Sequence, residues 1–177
     1  MTPPEFFHFC PRCGVRQASV PAGNPFLCGS CQLRYFFNPA VAAAVFIRRK
    51  SDGRILLIRR AKEPGLGKLA PPGGFIDFGE TAEHAVAREV REEVGLELEG
   101  IAFLCSQPNA YLYAGLTYRV LDLFFVATAS SENVVVDVHE VSGLDWYQPA
   151  QFQLDDLAFP SMKAAWQYWR SIPRDPA

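Results

Sequence analysis

GFIDFGETAEHAVAREVREEVGL, residues Gly74 to Leu96, sets three carboxylates, Glu89, Glu92 and Glu93, inside an apolar helical pattern. Positions i, i+3 and i+4 share one face of a helix. Like charges held this close repel one another and raise at least one pKa, and a chain tolerates that when a cation sits among them. Oxygen-only ligands at this charge density suit a hard divalent ion, Mg²⁺ or Mn²⁺. The expectation is a metal site on a helix, entered through a glycine-rich loop. Thr81 is placed to cap the helix, with Glu83 favoured by the dipole in its first turn. Gly95 is placed to end it. Val86, Val90 and Val94 form the side that packs on a sheet. On composition alone, the same charge run suits a solvated face with ordinary Glu–Arg pairs.

The bulk of the chain narrows the choices. Its 177 residues suit one domain with a small appendage, and 49% hydrophobic content supports a core. A formal net charge of −2 argues against nucleic acid as a partner, which calls for a basic face. It leaves open a nucleotide-sized substrate, whose phosphates a metal and a few Lys or Arg side chains can meet. No apolar run reaches membrane-spanning length, so no membrane partner is expected. The start, MTPPEFFHFCPRC, lacks a basic segment followed by an apolar one, so a cytoplasmic location is expected. Thiols stay reduced there, which makes metal binding a better use of cysteine than disulfides.

Four of the five cysteines form two Cys-x-x-Cys pairs, Cys10/Cys13 and Cys28/Cys31, with fourteen residues between the pairs. Four thiolates at this spacing close a tetrahedral Zn²⁺ site of the structural kind. A pair of redox dithiols is the alternative reading. Residues 1–36 are therefore assigned to a zinc ribbon and 37–177 to a second domain. The ribbon's basic residues are Arg12, Arg16 and Arg34, which favours a structural or dimer-forming role over nucleic-acid binding. In the second domain, strands are expected over 40–49 and 54–60, joined by the hairpin signal Asp52-Gly53. Residues 61–72 read as a Gly/Pro-rich loop and 73–77 as a short extended segment. Further strands are expected over 98–105, 116–129, 134–136 and 143–147, the second of them apolar and central. Helices are expected over 148–157 and 161–171.

The spacing from Gly74 reads G-x5-E-x7-R-E-V-x-E-E-x-G-L, carried by Gly74, Glu80, Arg88, Glu89, Val90, Glu92, Glu93, Gly95 and Leu96. This resembles the Nudix box at every fixed position, which is far more specific than a lone glycine motif. The resemblance implies an α/β (α+β) fold, an α/β/α sandwich with a mixed sheet, preceded here by the ribbon. It implies a pyrophosphohydrolase that cleaves a nucleoside diphosphate linked to another group. Glu89, Glu92 and Glu93 would hold Mg²⁺ or Mn²⁺, with Glu89 or Glu92 as the base. Arg88 would restrain Glu92, and Glu80 would orient Arg88. Gly74 and Gly79 would let the chain turn around the metal.

A four-cysteine ribbon before such a domain is similar to the NADH pyrophosphatase branch. Ser106-Gln107-Pro108 matches half of that branch's substrate motif, and its Trp-Pro-Phe-Pro half is absent. Glu140 matches the position where the branch supplies a further metal ligand. The candidate substrate-binding residues are Gly73, Gly74, Lys68, Gln107, Asn109, Tyr111, Tyr113 and Tyr118. The Gln107–Tyr118 segment is expected to overhang the metal helix, its tyrosines stacking on a base or filling a core. NADH and ADP-ribose are the leading substrates. A nucleotide-sensing regulatory module and a hydrolase of NAD-type caps on RNA are the alternatives. A homodimer is implied by the resemblance.

Overall fold

The computed structural model describes residues 3–17, 24–129 and 131–173. The chain divides into two units, one of residues 1–40 with 110–120, the other of 41–109 with 121–177.

In the smaller unit, a 3-10 turn (Pro3–Phe6) precedes a two-stranded antiparallel sheet of β1 (Phe26–Leu27) and β2 (Arg34–Tyr35). Its core is small. Phe26, Cys10 and Cys28 are buried, with Phe7, Leu33 and Phe37 packed against them. Phe7 meets Phe37 edge-to-face at 4.6 Å. So few apolar side chains stabilise little by burial alone, which is why a unit of this size depends on a cross-link or a metal.

The larger unit is built on a sheet with order β5-β4-β3-β8-β7, with β6 pairing β3 and β9 pairing β4. The strands are β3 (Ala40–Arg48), β4 (Ile55–Arg60), β5 (Leu69–Ala70), β6 (Gly73–Phe75), β7 (Leu98–Tyr113), β8 (Leu116–Ala129) and β9 (Val141–Tyr147). Helix α1 (Ala82–Val94) follows β6, and α2 (Pro160–Ser171) follows β9 and a single 3-10 turn at Leu154–Asp156. This mixed sheet with its helices is the expected α/β class. Val45, Phe46 and Ile47 of β3 and Leu56 and Leu57 of β4 are wholly buried. Phe46 stacks on Trp169 of α2 at 5.2 Å and on Phe124 of β8 at 6.0 Å, which seats α2 on the sheet. Helix α1 buries Ala85, Val86, Val90 and Val94, and each valine so buried contributes about 1.5–2 kcal/mol.

Four expectations change. Leu69–Ala70, inside the expected loop over 61–72, form β5 because they pair with Ile58 and Arg59 of β4. Residues 134–136 form no strand, because their backbone serves α1: the Val135 amide donates to Val94 O at 3.0 Å and the Asp137 amide to Glu93 O at 3.0 Å. Residues 148–157 form only the 3-10 turn, because local side chains take the amides. Gln151 Oε1 accepts from the Gln148 amide and Asp156 Oδ2 from the Gln153 amide. The segment from Gln107 to Tyr118 is a β-hairpin, with Ala114 and Gly115 at positive φ in its two-residue turn. Pro108 is tolerated because β7 is the last strand of the sheet order.

Candidate active site

Sequence folds this region from both ends. Thr81 Oγ1 accepts from the His84 amide and starts α1, and Gly95, at φ 67°, stops it with its amide on Arg91 O. Strand β6 lies antiparallel to β3, with Gly74 opposite Ala43 and Gly73 opposite Ala44. That pairing brings β6 up against α1. A Cβ on Gly74 would stand 2.5 Å from Glu89 Oε1, and one on Gly73 2.2 Å from Ala43 O. The two glycines are thus set by close approach. For Gly74 this corrects the expected turn role. Gly79 does adopt the turn conformation, at φ 85°.

Arg88 gathers the carboxylates. Its Nε and Nη2 donate to both oxygens of Glu80, each at 3.0 Å. Its Nη1 donates to Glu89 Oε1 at 2.8 Å and to Glu92 Oε2 at 3.1 Å, and Nη2 reaches Phe75 O at 3.1 Å. A planar fork meeting a carboxylate bidentately is the geometry for which arginine, and not lysine, is suited. The Glu80 carboxyl is held below the usual range by this bond to Arg88.

The three helix carboxylates sit in graded surroundings, not on one solvated face. Glu92 is exposed, Glu89 is half-buried, and Glu93 is 5% exposed. Glu93 Oε2 accepts from the Gly73 amide at 2.9 Å. Burial pushes the Glu93 carboxyl up to about 8, and the charges of Glu89 and Glu140 add to that, against the opposing pull of Gly73 and Arg60. Burial also raises Glu89, with Arg88 opposing and Glu92 and Glu140 adding. Glu140 therefore shares the electrostatic neighbourhood of Glu89 and Glu93. Its own carboxylate pairs with Lys62 at 2.8 Å. Glu89 and Glu92 share Arg88 Nη1, while Glu93 is held by the Gly73 amide and Glu140 by Lys62, so the four acids do not converge on one point. Among the described residues, only the four cysteines bring three or more ligand atoms within 4.8 Å of one another.

The cysteines do converge. Sγ of Cys10 and Cys31 are 3.7 Å apart, and those of Cys13 and Cys28 are 3.8 Å apart. Four sulfurs at roughly 2.3 Å from a tetrahedral Zn²⁺ are separated by roughly 3.8 Å. The donor set and its geometry therefore fit a closed metal site. The Cys31 amide draws Cys28 down to about 6 against its desolvation. Cys31 goes up to about 12: the Leu33 amide opposes, but desolvation and the three neighbouring sulfurs prevail.

The remaining candidates are placed as follows. Lys68 lines a cleft that none of the box carboxylates touches, and its Nζ donates to Asp155 O at 3.0 Å. Gln107 and Asn109 lie two apart on β7, Gln107 bonded to Cys105 and Asn109 to Asp122. Tyr111, Tyr113 and Tyr118 belong to the unit that contains the cysteines. Two features escaped sequence reasoning. Arg60 acts on Glu93, and strand alternation at Arg59-Arg60 could have signalled it. Ser161 of α2 donates to buried Asp122 of β8 at 2.5 Å, and a lone acid in an apolar strand was the available signal.

The NUDIX domain family matches residues 38–166, and the chain belongs to that family. Among curated relatives, it is 31% identical over 147 residues to the NAD-capped RNA hydrolase NudC of Klebsiella pneumoniae strain 342, and 30% identical to that of Escherichia coli K12/DH10B. These alignments cover 81% of this chain and 54% of each relative, so the chain spans about half the length of the curated relatives it matches. The MutT NUDIX hydrolase structure from Burkholderia pseudomallei matches with 34% identity and TM-score 0.58, covering 74% of this chain and 98% of its own. The NUDIX domain of Shewanella oneidensis NrtR, solved with ADP ribose, matches with 25% identity and TM-score 0.62, covering 76% and 88%.

Proposed function

We propose that this protein hydrolyses the diphosphate linkage of a nucleoside diphosphate derivative, with NADH or ADP-ribose as the leading substrates. The observation that carries the reading is the Arg88 fork joining Glu80, Glu89 and Glu92 beside a buried Glu93. That many carboxylates around one arginine leave an excess of negative charge, and oxygen-only donors match a hard divalent cation. Glu89, Glu92 and Glu93 would hold Mg²⁺ or Mn²⁺, with Glu140 as a further ligand. When bound, the cation neutralises phosphate oxygens and lowers the pKa of water. The residues do the rest. Glu80 fixes Arg88, Arg88 fixes Glu89 and Glu92, and one of those two accepts the proton of the attacking water. Attack at phosphorus then displaces a phosphate oxygen and yields two phosphorylated fragments. The hairpin residues Gln107, Asn109, Tyr111, Tyr113 and Tyr118 would contact the substrate, whereas Lys68 lies in a cleft apart from the box carboxylates.

The relative named NAD-capped RNA hydrolase and the ADP-ribose-bound neighbour support this substrate class. The relative's name also favours a second reading, cleavage of NAD-type caps on RNA. Zn²⁺ at Cys10, Cys13, Cys28 and Cys31 would hold residues 1–36 together, and a homodimer in the cytoplasm completes the proposal. A panel of NADH, ADP-ribose, FAD and NAD-capped RNA, assayed with Mg²⁺ or Mn²⁺ and resolved by chromatography, tests it. Cleavage of at least one diphosphate supports the reading, and turnover of none overturns it.

A further inference from the structure

Strand β4 ends in two adjacent arginines, and alternation sends them to opposite faces of the sheet. Arg60 donates through Nε to Pro64 O at 2.9 Å, and its guanidinium lies 5.3 Å from the centre of the Phe159 ring. Arg59 faces away, into a separate cleft of about 360 Å³ lined by Arg59, Lys68, Tyr147, Gln151, Phe152 and Asp156 among others. That volume is at the small end of ligand sites, roughly 300–1,000 Å³.

The lining has three kinds of chemistry. Arg59 and Lys68 are exposed cations whose hydrogen bonds go to backbone oxygens, Arg59 Nη1 to Gly67 O at 2.6 Å and Lys68 Nζ to Asp155 O at 3.0 Å. Among the described residues neither has a carboxylate within ion-pair distance, since the nearby Asp155 carboxylate is taken by Lys163 at 2.7 Å. Both therefore keep donors for an anion. Tyr147 and Phe152 meet edge-to-face at 5.9 Å and give the cleft an aromatic wall. Gln151 and Asp156 add amide and carboxylate groups able to bond the edge of a base or the hydroxyls of a sugar.

We infer that this cleft, lined by none of the box carboxylates, is a second binding site, for a nucleoside monophosphate. Arg59 and Lys68 meet the phosphate, Tyr147 and Phe152 the base, and Asp156 or Gln151 the polar edge. The inference is independent of what the box hydrolyses. Calorimetric titration in metal-free buffer tests it, with AMP, ribose 5-phosphate and inorganic phosphate as probes. AMP is expected to bind with Kd below about 1 mM and at least about tenfold tighter than inorganic phosphate. Arg59→Glu, an exposed substitution, is expected to weaken AMP at least tenfold, and Tyr147→Leu to narrow the preference for AMP over ribose 5-phosphate. Glu92→Gln, which alters the box, is expected to leave AMP affinity unchanged. No AMP binding, equal binding of inorganic phosphate, or loss of binding in Glu92→Gln with retention in Arg59→Glu would each overturn it.

Discussion

Glu93 is the residue on which the box's electrostatics turn. It is buried, and its carboxyl is raised from the ordinary 4.5 to about 8, first by burial. A carboxylate whose folded pKa lies above its unfolded value favours the protonated folded state. Its stabilising contribution is complete below about pH 4.5 and is lost as pH rises through about 8. With metal chelated, thermal unfolding is therefore expected to move to lower temperature between pH 5 and 8, the stability falling by an amount on the order of a few kcal/mol. Glu93→Gln should flatten that dependence, and added Mg²⁺ should restore stability at high pH in the wild type only. Scanning calorimetry at several pH values checks both. Gly74 gives a second test. A Cβ there would stand 2.5 Å from Glu89 Oε1, so Gly74→Ala must displace that carboxylate. A fall in kcat of at least about tenfold, with a smaller change in Tm, is expected for a misplaced reacting group.

At the scale of elements, the loop–helix unit was legible in the sequence because each of its signals is local. The Thr81 cap, the Gly95 stop and the apolar side of α1 all act within a few residues, and all appear where the pattern put them. What was illegible depended on partners far along the chain. Residues 134–136 have strand composition, yet the end of α1 takes their amides. Residues 148–157 have helical composition, yet two local side-chain bonds turn them. Gln107–Tyr118, expected to overhang the metal helix, falls in a hairpin, and its place on the last strand of the sheet order makes Pro108 acceptable. The Asp122–Ser161 bond between β8 and α2 belongs to the same class. Ser161→Ala leaves a buried carboxyl without that donor and is expected to cost about 1–3 kcal/mol in chemical denaturation, with Asp122→Asn partly tolerated.

At the scale of the whole molecule, the two units place different demands on metal. The smaller one has a core of a few side chains and four sulfurs spaced for a tetrahedral ion. Cys28→Ser is therefore expected to abolish Zn²⁺ retention, measured by atomic emission, and to make residues 1–36 protease-sensitive. The larger unit has its own extensive core, so its unfolding transition is expected to persist in that variant. The Zn²⁺ role and the box role are separable in this way. The box role is tested most directly by comparing wild type with Glu92→Gln for ADP-ribose and NADH cleavage across a Mg²⁺ titration. Glu92 is exposed and bonded only by Arg88 within the box, so the fold should survive the change. Mg²⁺-dependent release of AMP with its partner phosphate is expected from the wild type, and a loss of at least about a hundredfold in Glu92→Gln, in line with removal of a base or metal ligand. Equal turnover by both proteins, or turnover independent of divalent metal, would contradict it.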